Sequence, residues 1–275
     1  MDGLMGAQDR TQMIEQDSMP HGFDPSPARS GLSVRLASDC ADIEAAQKLR
    51  WDVFRSELGA NLSHSRALDI DPYDAVCDHL LVEDSSAGAC RVVGTYRLLR
   101  QSVAQRHSGF YSAGEYDLSP LAGGAGELLE LGRSCVAAGY RNAATIQLLW
   151  RGIAQYLEDN QISMMFGCGS FHGTDPAQHA DTLSYLHHHH LAPPALRVRA
   201  LEDRFVEMAQ LPHGSYDPRQ VMRKLPPLIK AYLRVGAMVG DGAVVDHEFN
   251  TTDVFIVMPT SAIAQRYRDR FVAAA

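Results

Sequence analysis

The chain has 275 residues, 45% of them apolar and 21% charged, enough to bury a sizeable core as one large domain or two small ones. Its 33 acidic against 25 basic residues leave a formal charge of −8, and no dense stripe of Lys and Arg runs along it, which argues against a nucleic-acid binder. The five cysteines are odd in number and never spaced C-x-x-C, no apolar run reaches the roughly 18 to 20 residues of a membrane span, and no basic-then-apolar leader opens the chain, so a cytoplasmic protein without disulfides or structural zinc is expected.

Residues 1–30 mix Met, Gln, Asp, Ser, Gly and Pro without periodicity and read as a tail, leaving 31–275 as the folded domain. LSVRL (32–36) alternates as a first strand. Ser38 or Asp39 then offers a cap for a helix carrying Ile43, Ala46, Leu49, Val53 and Leu58, ended by Gly59. The following stretch, 60–77, is polar and holds Asp69, Asp71 and Asp74 in DIDPYD; it reads as a loop ordered by its surroundings or by a ligand. Strands at 79–83 and 91–99 form a hairpin across SSAGA. A short helical or irregular piece and the linker AGGAG lead into LLELGRSCV (128–136), where Glu130 and Arg133 interrupt a run that otherwise reads as a buried strand.

Strand side chains alternate faces, so Glu130 and Arg133 fall on opposite sides unless a bulge between them re-aims one. The same run also reads as an edge strand with both charges solvated. Asn142 caps an amphipathic helix with Ile146, Leu149, Trp150, Ile153, Tyr156 and Leu157 toward the core, SMMFGCG (163–169) is a further buried strand, and 177–191 another helix. In the last third, RVRALEDRFVEM adds strand pairing, the prolines of LPPLIKAYLRVGAMV suit a first helical turn, VVDHEFNTTDVFIVMP is a turn leading into a final buried strand, and AIAQRYRDRFVA is a terminal helix.

Other motifs carry less. The four adjacent histidines 187–190 point in different directions on a helix, so a polar helix end is the simpler reading than a metal site. DIDPYD lacks the turn glycine of a calcium loop, and GCGSFHG lacks a nucleophile elbow's spacing. Tyr185 on its helix reads as a packed core tyrosine.

The order of elements resembles the GNAT acyltransferase fold: α/β, a mixed twisted sheet with helices on both faces and a helical C-terminal extension. Arg50, Phe54, Asp71 with Asp74, Arg97, and Glu130 with Arg133 are similar to the constellation of the acyl-homoserine-lactone synthases, which take acyl groups from acyl carrier protein. Four stretches, DAVCDHLLV, LLELGRSCV, LPPLIKAYLRVGA and DHEFNTTDVFIV, look like the L-ornithine N-alpha-acyltransferase family, and the last two have no counterpart in the lactone synthases. Residues 190–240 would be a family-specific insertion and 243–275 the final strand and helix.

The resemblance implies transfer of a 3-hydroxyacyl group from acyl carrier protein to the alpha-amine of L-ornithine, directly and without a covalent enzyme intermediate, giving lyso-ornithine lipid. The alternatives are a lactone synthase, or a non-catalytic module that binds acyl chains or carrier protein. Glu130 would be the base, and backbone N–H groups near 131–134, left unpaired by a bulge, would hold the oxyanion. Arg50, Arg97 and Arg133 would bind the acceptor carboxylate or brace the acidic loop, and Asp71 and Asp74, with Asp69 in reserve, would take the distal ammonium.

AAGYRNAA (137–144) departs from the pyrophosphate loop of CoA-using relatives. That implies a single donor phosphate, on the 4'-phosphopantetheine of the carrier protein, held by Arg141, Asn142 and the helix N-terminus, with no cofactor bound by the enzyme itself. An acidic carrier protein would dock on Arg141 with Arg151, or on Lys224, Lys230 and Arg234. The apolar faces of 226–239 or 262–274 would suit peripheral contact with the inner face of the cytoplasmic membrane, or packing on the core.

Overall fold

Leu32–Leu36 forms the first strand, β1, of a computed structural model that describes residues 31–263 other than 87, 89 and 125. The N-terminal tail and nearly all of the terminal helix expected from the sequence lie outside the described residues. Asp39 caps α1 (Cys40–Arg50) by accepting from the Asp42 N–H at 2.9 Å. The helix continues as a wider π-helical stretch, Trp51–Glu57, rather than as the single α-helix expected, and the chain turns at Gly59 with φ +74°.

β2 (Asp78–Asp84) and β3 (Arg91–Arg100) form the antiparallel hairpin read from the sequence, and β1 pairs on the outer edge of β2. Short elements follow: α2 (Gln101–Ala104), a 3-10 turn at Tyr111–Gly114, and the two-residue strand β4 (Tyr116–Asp117). β5 (Glu127–Val136) and β6 (Ile162–His172) are parallel neighbours, which requires a crossover, and α3 (Ala143–Asp159) supplies it. Asn142 caps α3 as expected, accepting from the Thr145 N–H at 3.1 Å. Ile146 nevertheless stays 39% exposed, while Thr145 and Leu148 are buried in its place. Thr145 can be buried because its hydroxyl bonds the same Asn142 oxygen.

α4 (Ala180–His190), β7 (Arg199–Ala200), α5 (Pro218–Lys224) and α6 (Pro227–Arg234) precede a second hairpin, β8 (Met238–Asp246) with β9 (Thr251–Pro259). β8 was not expected. It is flanked by β7 and β9 and buried along most of its length, so it lacks the period-2 alternation that marks a half-exposed strand. The sheet runs β1-β2-β3-β5-β6-β9-β8-β7-β4, antiparallel except at β5–β6 and β7–β8.

One apolar cluster joins Leu129, Leu131 and Ile256 of the sheet to Leu149 and Ile153 of α3, Leu183 of α4, and Ile229 and Tyr232 of α6. The stripe of α6 that had suggested a membrane surface is therefore covered by the sheet. Among the described residues no helix is long and apolar enough to cross a membrane. A second cluster sets Tyr116 and Leu121 against Leu128, Phe166 and Phe255, and a third holds Leu49 and Val53 against Cys135 and Ala137.

Candidate active site

The register between β3 and β5 jumps at the centre of the molecule. Thr95 opposes Cys135 but Arg97 opposes Gly132, so Tyr96 faces both Arg133 and Ser134. This is a β-bulge, and Arg133 occupies it with φ +48°, a left-handed conformation unusual for a residue with a side chain. Its effect on alternation is visible in the packing. Leu129 and Leu131 share a cluster with Val136, a change from odd to even positions that one extra residue requires. The bulge brings Arg133 into the same cavity as Glu130, which strict alternation would forbid.

On its other side β5 parts from β6. Paired positions end at Glu130 with Phe166, and beyond them the groups of β5 that face β6 have no ladder partner there. Gly167 permits the crossing of backbones at this point, since a Cβ there would lie 2.2 Å from the Leu131 carbonyl oxygen. A cavity of about 240 Å³ occupies the gap, lined on β5 by Glu130 to Ser134 and on β6 by Cys168 and Ser170. A smaller, apolar cleft lined by Leu131, Gly167, Tyr232, Ile256 and Met258 adjoins it.

The acidic loop is tied to arginines. Arg50, fully buried, donates through Nε to Asp69 at 2.8 Å and through both terminal nitrogens to Asp74 at 2.9 and 2.8 Å. Arg97 reaches Asp71 at 2.6 Å and Asp74 at 3.2 Å, and Arg133 reaches Asp71 at 3.1 Å and Asp69 at 3.3 Å. Gln47 adds a bond to Asp74 at 2.9 Å. Burial pushes the Asp74 carboxyl up, but the Arg50 and Arg97 guanidiniums overcome it and hold Asp74 well below the usual carboxylate range. Three arginines thus neutralise three aspartates. The expectation that Asp71 and Asp74, or Asp69, receive an acceptor ammonium does not fit this arrangement, because their oxygens are already engaged and none of the three lines the cavity. Arg50 likewise braces the loop and does not face the cavity, whereas Arg97, Arg133 and Phe54 do. Phe54 packs edge-on against Phe249, and the Arg133 guanidinium lies 4.2 Å from the Phe249 ring centre.

Glu130 is 4% exposed and accepts from the Ser112 N–H and hydroxyl on one oxygen and from the Tyr111 N–H, at 2.7 Å, on the other. Burial raises its pKa, and the Ser112 and Tyr111 donors oppose the rise. A carboxylate held rigidly with a lone pair still free, and made more basic than usual, suits proton abstraction. Cys168 lies 3.8 Å from the Ser112 hydroxyl and 3.9 Å from a Glu115 oxygen. Burial and the nearby Asp253, Glu115 and Glu130 carboxyls push this thiol well above its ordinary pKa, so it is a neutral lining group and not a nucleophile.

Sequence reasoning missed Tyr111, Ser112, Glu115, Tyr232, Asp246, Phe249 and Asp253, all in the cavity wall. Asp253 had a signal: an ionisable residue inside the apolar strand run TTDVFIV, as Glu130 is inside LLELG. Glu115 sits in irregular chain and had none. Arg141 and Asn142 are not in the cavity wall; Arg141 donates to the Val136 carbonyl at 3.0 Å and to Glu57, and Asn142 caps α3. Of the expected docking cations, Lys224 bonds Asp181 at 2.5 Å and Lys230 the Arg223 carbonyl at 2.9 Å. Tyr185 packs among His189, His190 and Tyr216 and does not line the cavity.

Residues 49–151 match the family described as Acetyltransferase (GNAT) domain. The chain is similar to an L-ornithine N(alpha)-acyltransferase of Brucella abortus (strain 2308), 47% identical over 244 residues that cover 86% of this chain and 87% of that protein. It is 46% identical over 252 residues to one of Rhizobium meliloti (strain 1021), covering 89% and 85%. Among solved structures, a CoA-dependent acyl-homoserine lactone synthase aligns over 88% of this chain and 90% of its own, with 16% identity and a TM-score of 0.48. With relatives this similar along nearly their whole length, the chain belongs to the L-ornithine N(alpha)-acyltransferase family and is an acyltransferase of the GNAT fold.

Proposed function

We propose that this chain transfers a 3-hydroxyacyl group from acyl carrier protein to the alpha-amine of L-ornithine, forming lyso-ornithine lipid. The observation that carries the reading is Glu130, a buried and basic carboxylate at the point where β5 and β6 part, with an acidic cavity wall on one side and an apolar cleft on the other. The names of the relatives support ornithine as acceptor.

In the reaction, Glu130 takes a proton from the alpha-ammonium, directly or through one water, and the freed amine attacks the thioester carbonyl. Backbone N–H groups of 131–134 that face the gap stabilise the oxyanion, a contribution of about 3 kcal/mol per donor in other acyl transfers. The tetrahedral intermediate collapses with cleavage of the C–S bond, the nitrogen sheds its second proton, and the leaving phosphopantetheine thiolate takes that proton up, while the proton held by Glu130 passes to solvent. Arg133 and Arg97 are the cavity cations available to the ornithine carboxylate. The apolar cleft beside Tyr232 and Met258 suits the acyl chain, and Arg141 and Asn142, at the N-terminus of α3, suit the single donor phosphate. The acyl carrier protein docks through basic side chains near this end, and the long-chain product passes to the inner face of the cytoplasmic membrane.

The test is incubation with 3-hydroxyacyl carrier protein and each of ornithine, lysine, glutamine and S-adenosylmethionine, with products identified by mass. N-alpha-acylornithine is the expected product. A lactone from S-adenosylmethionine would assign the synthase activity instead, and carrier-protein binding without any product would mark a binding module.

A further inference from the structure

The cavity has an acidic end that the acidic loop does not supply. Asp253 on β9 is 6% exposed, yet its Oδ1 has no hydrogen-bond partner among the described residues, and the neighbouring Thr251 hydroxyl also lacks one. Both line the cavity, with Ser170 opposite Asp253 on β6 and Asp246 opposite Thr251 on β8. Glu115 lines the same end, 9% exposed, with Arg204 3.7 Å from one oxygen and the Cys168 thiol 3.9 Å from the other. Asp246 spends one oxygen on the Glu248 and Phe249 N–H groups of the β8–β9 turn. A buried carboxylate oxygen without a protein donor is costly unless something else supplies one, and facing the cavity it is open to a donor from solvent or from a ligand.

We infer that Glu115 and Asp253, with Asp246 beside them, receive the distal ammonium of a diamino-acid acceptor and set the preference for it. The inference rests on the proposed acyl transfer to ornithine and says which groups of this chain recognise its side chain. The spacing agrees. Ser112, which bonds Glu130, lies 3.8 Å from Cys168, and Cys168 lies 3.9 Å from Glu115, so the base and the acidic end are separated by little more than a hydroxyl and a thiol. The alpha carbon and three methylenes that separate ornithine's two nitrogens span such a gap, with the alpha-amine at Glu130 and the distal ammonium at Glu115 and Asp253. The electrostatics agree as well. Burial, with the Asp253 and Asp246 carboxyls adding to it, pushes Glu115 up to about 7, and burial pushes Asp253 up to about 6, with the Ser170 and Thr251 hydroxyls near enough to oppose the rise but not in hydrogen-bond geometry with it. An arriving ammonium relieves that crowding of negative charge.

The test compares ornithine with 2-aminopentanoate, which is ornithine without its distal amine. The full chain is assayed with acyl carrier protein donor, and acceptor binding is measured separately by calorimetry without donor. The wild type prefers ornithine in both. Asp253→Asn, and independently Glu115→Gln, lower the ratio of ornithine to 2-aminopentanoate kcat/KM by about ten- to a hundredfold, the range of a charge-assisted bond lost from a buried site. An unchanged ratio, or equal losses on both acceptors, overturns the inference while leaving the acyl transfer intact. If the wild type acylates neither acceptor, the proposed function fails instead. The calorimetric arm then still decides, since equal affinity of the wild type for both compounds excludes an ammonium site.

Discussion

Glu130→Gln is the perturbation that most directly separates chemistry from architecture. Glu130 accepts from the Ser112 N–H at 2.7 Å and the Ser112 hydroxyl on Oε1, and from the Tyr111 N–H at 2.7 Å on Oε2. A glutamine oxygen placed at the Oε1 position keeps both Ser112 donors, but its NH2 then meets the Tyr111 N–H, donor against donor. That should lower stability by about 1–3 kcal/mol, the cost of a buried donor left unsatisfied. Folded domains are stable by roughly 5–15 kcal/mol, so the variant remains folded. Loss of the base should slow transfer by about 10²–10⁴, or about 3–5 kcal/mol on the barrier. The assay is single-turnover acyl transfer with donor and ornithine saturating, beside a urea titration of the same protein. Ser112→Ala is the control, because it removes one donor and keeps the carboxylate; it should cost about 1 kcal/mol of stability and less than about tenfold in rate. A Glu130→Gln rate within about threefold of wild type, or a Ser112→Ala rate equally low, would refute the base and leave Glu130 as an acceptor that ties down the 111–114 turn.

Arg50→Met should destabilise the protein by about 3–5 kcal/mol, because it leaves Asp69 and Asp74 buried without their principal counter-ion; a shift of the urea midpoint worth under about 1 kcal/mol would contradict the bracing role. Gly167→Ala places a Cβ 2.2 Å from the Leu131 carbonyl, where backbone must move, so a loss of about 1–3 kcal/mol together with falling turnover is expected, and wild-type behaviour in both would show the crossing to be loose. The ornithine-over-2-aminopentanoate preference should rise between pH 5 and 8. Below about 6 to 7 the Asp253 and Glu115 carboxyls are protonated and attract no ammonium, and above it both are ionised, with Asp246, Arg204 and Arg133 as the other charges around them. Taking the ratio cancels the ionisation of the alpha-amine and of Glu130, and a flat ratio would count against the acidic end as an ammonium site.

Much of the framework was legible in sequence because it is local. The cap at Asp39, the cap at Asn142, the hairpin of β2 and β3 and the buried run around Glu130 each follow from short-range chemistry that the neighbouring residues contain. So does the oddity of a glutamate within LLELG. The partners of charged groups were not legible, because they are chosen across the fold: Asp74 is some two dozen residues from Arg50 and Arg97, and only the packing of α1, β3 and the loop shows that arginines consume it. The bulge at Arg133 was a conditional in the sequence and became a fact through the register with β3, which shifts one side chain across the sheet. β8 escaped notice because burial on both faces erases alternation, and with it went the acidic end of the cavity, which needs β6, β8, β9 and the 111–115 segment brought together. The sequence by itself determined the caps, the first hairpin and the central strand, and where a base could stand. Which carboxylates are spent on arginines and which line the cavity is a property of long-range contact, and only the tertiary structure decided it.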